Sequence, residues 1–191
     1  MTVLILGLVL FLGVHSVRIY AEGWRAAQIA RRGEGAWKGL YSLVSLVGLV
    51  LIVWGYGRTC IYPVDVWSPP PWTHHVTALL MLPAFILIVA AYVPGNHIKA
   101  AIGHPMLAGV KLWAFAHLVS NGRLGDILLF GAFMFWAAWT FVASRRRDRL
   151  AGTRYAAGTI ARDGITIAVG VAAWVLFAYY LHLWLIGVRP L

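Results

Sequence analysis

The chain has 191 residues, of which 61% are hydrophobic and only 12% are charged, and its formal net charge is +10. A soluble globular domain is nearer half apolar and a quarter charged, so much of this surface must face lipid rather than water. The positive charge is typical of basic cytoplasmic loops and does not indicate a nucleic-acid binder, and the one cysteine excludes an internal disulfide and a thiolate metal cluster.

Apolar stretches of about 20 residues, the length that crosses the hydrocarbon core as a helix, recur along the chain. They predict an all-α polytopic bundle of five to six transmembrane spans in a single domain, residues 1–191. The first span, residues 2–21, is expected to continue as a basic amphipathic segment to residue 32. It lacks a basic n-region and a cleavage site, so we interpret it as a retained span. The later spans are predicted at residues 39–57, 76–93, 105–119, 124–143 and 164–187.

The positions of lysine and arginine predict the orientation of these spans. If the loop after the first span is cytoplasmic, most of the cations lie on that side: Arg25, Arg31, Arg32, Lys38, Lys99, Arg145, Arg146, Arg147, Arg149, Arg154 and Arg162. The other side keeps only Arg58, Arg123 and Arg189. The positive-inside rule then predicts a bacterial inner-membrane protein with both termini in the periplasm.

Ionisable side chains at membrane depth are costly and therefore indicate function. His15 lies within the first span, and Arg18, Glu22 and Arg25 follow at intervals of three, four and three residues. Those intervals place all four side chains on one helical face, with Arg18 and Glu22 close enough to neutralise each other.

The fourth span carries the second polar cluster. His117 follows His104 by 13 residues, which is roughly 20 Å along a helix axis. His104 is therefore expected near the inner surface and His117 inside the bilayer. Trp113 and Asn121, one turn to either side, should share the face of His117.

Two buried histidines on different helices are what a six-coordinate haem b requires of a protein. From spacing alone, two interpretations stay open: axial ligation of haem iron by His15 and His117, or hydrogen bonding of each ring within the helix bundle. Arg18 would be placed to meet a haem propionate. Zinc is disfavoured by the missing ligand motifs, and no catalytic residue is indicated. The remaining histidines are weaker candidates: His74, His75, His97 and His182.

Several short segments of the chain form a recognisable set: LGVHSVR (12–18), GLYSLVS (39–45), VWGYG (53–57), LPAF (82–85), VPGN (93–96), HPM (104–106) and KLWAFAHL (111–118). Together they resemble the NnrU family of bacterial membrane proteins over roughly residues 4–149, with the span at 164–187 outside that core. The family is named for its association with nitrite and nitric oxide reductase genes in denitrifying bacteria. The resemblance therefore implies a role linked to denitrification.

The same family includes the plant 15-cis-zeta-carotene isomerase, a membrane enzyme that contains haem b. Its haem-ligating histidines match His15 and His117 here, and His104 matches its His-Pro motif. The resemblance thus implies haem b as cofactor, and as an alternative function an isomerase acting on a lipophilic polyene.

A second likeness concerns HPMLAG (104–109), which is similar to the H-P-x-Y-x-G motif of membrane methyltransferases. Leu107 replaces the tyrosine, and no later Glu-Glu pair completes a site for S-adenosylmethionine. The sequence leaves open two further hypotheses, a methyltransferase-like function and a structural or assembly role without a cofactor. The expected partners are the lipid bilayer and a possible lipophilic small molecule.

Overall fold

A computed structural model describes residues 1–190, and nearly all of the regular structure is α-helical. The helices are α1 (Thr2–Tyr20), α2 (Glu22–Arg32), α3 (Glu34–Ile61), α4 (Thr73–Tyr92), α5 (His97–Ile102), α6 (Pro105–Ser120), α7 (Leu124–Leu150), α8 (Ile160–Leu176) and α9 (His182–Ile186). A π-helical turn, Phe177–Leu181, joins α8 to α9 without a break. The predicted all-α class is confirmed.

Five helical segments of the described chain are long and apolar enough to cross a membrane: Thr2–Tyr20, Glu34–Ile61, Thr73–Tyr92, Leu124–Leu150 and Ile160–Ile186. Large apolar side chains point outward along them, for example Leu43 (59% exposed), Val53 (65%) and Phe135 (69%). Such exposure is costly in water and favourable in lipid, which agrees with a helical membrane bundle. The predicted fourth span, α6, is not among these five. It has 16 residues and is about 24 Å long at helical rise.

Several helices begin or end outside the predicted apolar limits. α3 begins at Glu34 instead of residue 39, and α7 continues through the arginine run to Leu150 instead of ending at residue 143. Hydropathy locates the boundary of lipid, whereas a helix continues for as long as its backbone hydrogen bonds are favourable. The first helix also breaks at Ala21 (φ −137°, ψ 39°), so α1 and α2 are separate helices.

The helices form two compact units. Unit 1 comprises residues 1–67 and 123–132. In it α1 packs along α3, and α2 lies beside α3. Glycines allow this close approach: a Cβ added to Gly7 would lie 2.6 Å from the Ile52 nitrogen, and one added to Gly48 would lie 2.8 Å from the Phe11 nitrogen. Packing of small residues is how helices associate in lipid, where the hydrophobic effect does not drive them together.

Unit 2 comprises residues 68–122 and 133–191. In it α4 contacts both α6 and α8. Gly109 lies against the Ala84 carbonyl, where an added Cβ would be 2.9 Å from the oxygen. The Thr77 hydroxyl also donates a hydrogen bond across the helix pair to the Ala116 carbonyl, at 2.8 Å. The single domain predicted over residues 1–191 stays a prediction.

Candidate functional site

His15 lies on the face of α1 that packs against α3 in unit 1. Its Nδ1 donates a hydrogen bond to the carbonyl oxygen of Phe11, one helical turn earlier, at 2.6 Å. The ring centroid lies 4.3 Å from that of Phe11 and 5.2 Å from that of Tyr41 on α3. The imidazole is thus oriented by its own helix and flanked by two aromatic rings.

Arg18 lines the same cavity of unit 1 as His15, together with Tyr41, Arg25, Lys38 and others. The prediction that Arg18 and Glu22 neutralise each other is wrong. Glu22 pairs instead with Arg25, at 2.9 Å, because the break at Ala21 interrupts the helical register between Arg18 and Glu22. Within residues 1–190, Glu34 is the only acidic side chain that lines this cavity, so its net charge is positive.

His117 lies on α6 in unit 2 with a local geometry like that of His15. Its Nδ1 donates to the carbonyl oxygen of Trp113, again four residues earlier, at 2.9 Å. The Trp113 ring lies 5.5 Å from the His117 ring, and the Asn121 side chain donates to the His117 carbonyl at 2.8 Å. The predicted grouping of Trp113, His117 and Asn121 on one face is confirmed.

The two histidines share a protonation pattern that suits metal ligation. A carbonyl can only accept, so each ring carries its proton on Nδ1, and in the neutral form the lone pair is on Nε2. Metal-ligating histidines almost always donate their other ring nitrogen to a carbonyl or carboxylate in this way, because that bond sets the tautomer and the orientation of the ring. The chemistry of both rings therefore fits the axial ligands of haem b.

His104 takes part in a different arrangement, the inner-end cluster, which consists of His104, Asp148 and Tyr155 in unit 2. The His104 Nε2 lies 2.8 Å from Asp148 Oδ2, and the Tyr155 hydroxyl donates to the same oxygen at 2.5 Å. Burial and the hydrogen bond to Asp148 raise the pKa of Tyr155 to about 12. The cluster joins the start of α6 to the end of α7, and a role of His104 at the cofactor stays a prediction.

Two features of unit 2 were not predicted from the sequence. The inner-end cluster needs Tyr155, which lies in the irregular segment between α7 and α8, where no periodicity indicates a contact. The second feature is an ion pair in which His97 Nδ1 lies 2.6 Å from Asp163 Oδ2. Asp163 lies in the first turn of α8, whose N-cap residue is Thr159. The N-cap pattern was the one local signal in this segment, and it indicates where a helix begins.

Among residues 1–190, no three side chains of His, Cys, Asp or Glu come together as they would around a protein-bound metal ion. A haem iron differs from such a site, because the porphyrin supplies four of the six ligands and the protein supplies at most two.

In the comparison with protein families, the model described as NnrU protein matches residues 3–190. The match extends beyond residue 149, to which the resemblance had been traced, and includes the last helical segment. Comparisons with curated proteins and with solved structures found no match.

Proposed function

Because the chain belongs to the NnrU family, we propose that it is a bacterial inner-membrane protein that binds haem b through His15 and His117. The proposed role is a redox function linked to nitrite and nitric oxide reduction.

One observation supports the haem proposal above all others. His15 and His117 lie on different apolar helices, and each donates Nδ1–H to the carbonyl four residues earlier. Both bonds stay within the helix that carries the histidine, and they make Nε2 the acceptor nitrogen of each neutral ring. Both histidines would therefore be able to hold a haem iron through Nε2.

Other residues of unit 1 would serve the same site. Arg18 lies in the cavity that His15 lines and is suited to neutralise a propionate. Phe11 and Tyr41 flank the His15 ring. Bound haem b supplies a one-electron redox couple at membrane depth.

The proposed orientation follows from the cations. With α6 counted as a span, six crossings place α2, the α5 segment and the arginine run of α7 in the cytoplasm and both termini in the periplasm. Periplasmic and cytoplasmic reporter fusions at Leu191 and in the Tyr62–Trp72 loop test this; a cytoplasmic location of either would contradict it.

The haem proposal is tested by the reduced-minus-oxidised visible spectrum of the detergent-purified protein from haem-replete cells. We expect a low-spin b-type spectrum in the wild type, its loss in His15→Ala and in His117→Ala, and its retention in the control His75→Ala. His75 is exposed at the start of α4 and does not line the cavity that His117 lines.

A colourless wild type would overturn the proposal, and a normal spectrum in either ligand variant would overturn bis-histidine ligation. A coloured protein whose membranes isomerise a tri-cis zeta-carotene would replace the denitrification role with the isomerase function. Wild-type cells and a deletion strain compared for growth on nitrite test the physiological role directly.

A further inference from the structure

Unit 2 contains a partly open space, the outer-end cavity, where α4 begins and where α6 and α8 end. Its volume is about 120 Å³. The apolar part of its wall comes from α4, α8 and the π-helical turn: Ala78, Met81, Phe85, Trp174, Phe177 and Ala178. An apolar cavity of about 150 Å³ in another protein accepts a benzene molecule. The outer-end cavity therefore has the size of a single six-membered ring.

Aromatic side chains form two sides of this cavity. The Phe85 and Phe177 rings lie 5.6 Å apart, and the Phe177 ring meets His182 edge-on at 5.7 Å. Phe177 and Ala178 belong to the π-helical turn, a rare conformation that is frequent at functional sites. Offset and edge-on aromatic contacts favour a flat conjugated ligand over a flexible chain.

Polar residues from several helices, and one from the segment after α9, line the cavity: His74, Thr77, Ser120, Asn121, His182 and Arg189. Asn121 uses its amide nitrogen on the His117 carbonyl and on Ser120, and its amide oxygen accepts no hydrogen bond from residues 1–190. His182 donates from Nδ1 to the Val188 carbonyl at 2.7 Å, so its neutral ring presents an acceptor at Nε2. Arg189 and His74 are exposed and supply donors. The wall can thus donate a hydrogen bond to a carbonyl oxygen of a ligand and accept one from a hydroxyl group.

We infer that the outer-end cavity binds the head group of a quinone or quinol, whose apolar tail would lie in the surrounding lipid. The ring matches the volume, the conjugation matches the aromatic wall, and carbonyl or hydroxyl oxygens match the mixed donors and acceptors. A whole polyene or a porphyrin exceeds about 120 Å³, so only part of either could lie inside the cavity. A phosphate head group would require several cations, and Arg189 is the only arginine or lysine in the wall among the described residues.

This inference goes beyond the haem proposal and does not depend on it, since every residue that it uses belongs to unit 2. The two proposals meet at His117, which lines the outer-end cavity as well as being a proposed ligand. A quinone bound there would lie next to that imidazole.

The test is equilibrium binding of decylubiquinone to the detergent-purified full chain, with the retained quinone measured by chromatography. Saturable binding is expected in the wild type. Ala178→Trp fills the cavity with a bulky side chain and should weaken binding about tenfold, which corresponds to about 1.4 kcal/mol. The matched control Ala172→Trp adds the same bulk to an exposed position of α8 and should bind as the wild type does.

A second pair of variants keeps the test decisive if Ala178→Trp does not fold. His74→Ala removes a polar group of the wall and should weaken binding several-fold, whereas His75→Ala alters the adjacent exposed residue and should not. Equal affinities in the members of both pairs would overturn the inference. Displacement by decanol as effective as displacement by a second quinone would also overturn it, because the tail and not the ring would then be recognised.

The binding result is independent of the visible spectrum. A colourless protein that retains decylubiquinone would overturn only the haem proposal, and a coloured protein that does not retain it would overturn only the quinone inference.

Discussion

The core of unit 1 and the inner end of unit 2 hold their helices together by different means. Along α1 and α3 the contact is backbone against backbone, through Gly7, Gly48 and Gly55. At the inner end of unit 2, three polar side chains, His104, Asp148 and Tyr155, join segments that are far apart in the chain. The difference reflects the surrounding solvent. Within lipid, helices are held together by dispersion between closely packed atoms. Near water, the cost of desolvating charged groups is smaller, so polar side chains can join helices there.

The largest effect is expected for glycine packing in unit 1. Gly48→Leu would drive a side chain into the Phe11 backbone and should lower the free energy of unfolding by about 1–3 kcal/mol. Gly57→Leu is the matched control, because a Cβ there meets nothing within 4 Å among the described residues. Unfolding in mixed detergent micelles of increasing SDS content measures both. Equal losses would show that close backbone packing does not hold this pair of helices together.

A smaller effect is expected for the polar cluster of unit 2. Asp148→Ala leaves both His104 and Tyr155 without their shared acceptor and should cost about 1 kcal/mol in the same SDS titration. Asp65→Ala removes a carboxylate that is 74% exposed and 3.8 Å from Arg123, and it should cost nothing measurable. A loss as large in Asp65→Ala would contradict the assignment of stability to the inner-end cluster.

A further pair of variants, on two helices of unit 2, compares a hydroxyl group that makes an interhelical hydrogen bond with one that makes none among the described residues. Thr77→Val removes an interhelical hydrogen bond to the Ala116 carbonyl and should cost about 0.6 kcal/mol, the average for such bonds in membrane proteins. Thr140→Val is the control, since that buried hydroxyl makes no hydrogen bond within residues 1–190. The control should be neutral or stabilising, and a destabilised Thr140→Val would contradict the prediction.

The effect expected to be smallest at neutral pH is the titration of the inner-end cluster. Tyr155 has a pKa of about 12 in the folded chain and an ordinary value of 10.0. Above pH 10 the unfolded chain therefore binds fewer protons than the folded chain, and stability falls as pH rises. The contribution is fully present below pH 10 and is lost as pH passes about 12. Unfolding titrations across this range should show a shallower pH dependence for Tyr155→Phe than for the wild type; identical slopes would contradict this.

The sequence predicted the helices well where hydropathy and helix coincide, as in α1 and α4. It failed where they separate: the arginine run of α7 stays helical because charged residues do not break a helix, although they cannot enter lipid. The break at Ala21 has no proline or glycine at that position to indicate it, and the predicted pairing of Arg18 with Glu22 failed for that reason.

Parts of the candidate site could also be predicted from the sequence. The common face of Trp113, His117 and Asn121 followed from helical periodicity. The partners of His104 did not, because Asp148 is 44 residues away and Tyr155 is 51 residues away, and no local rule relates such positions. The outer-end cavity likewise depends on a π-helical turn that composition does not indicate.

The length of α6 has a consequence for the surrounding bilayer. If α6 crosses the membrane as proposed, its length of about 24 Å is several ångströms shorter than a typical hydrocarbon core of about 30 Å. Lipids next to it would thin to match, at a cost of a fraction of a kcal/mol per ångström of mismatch. The protein should therefore partition toward thinner regions of a membrane, and reconstitution into lipids of increasing acyl length should favour its clustering.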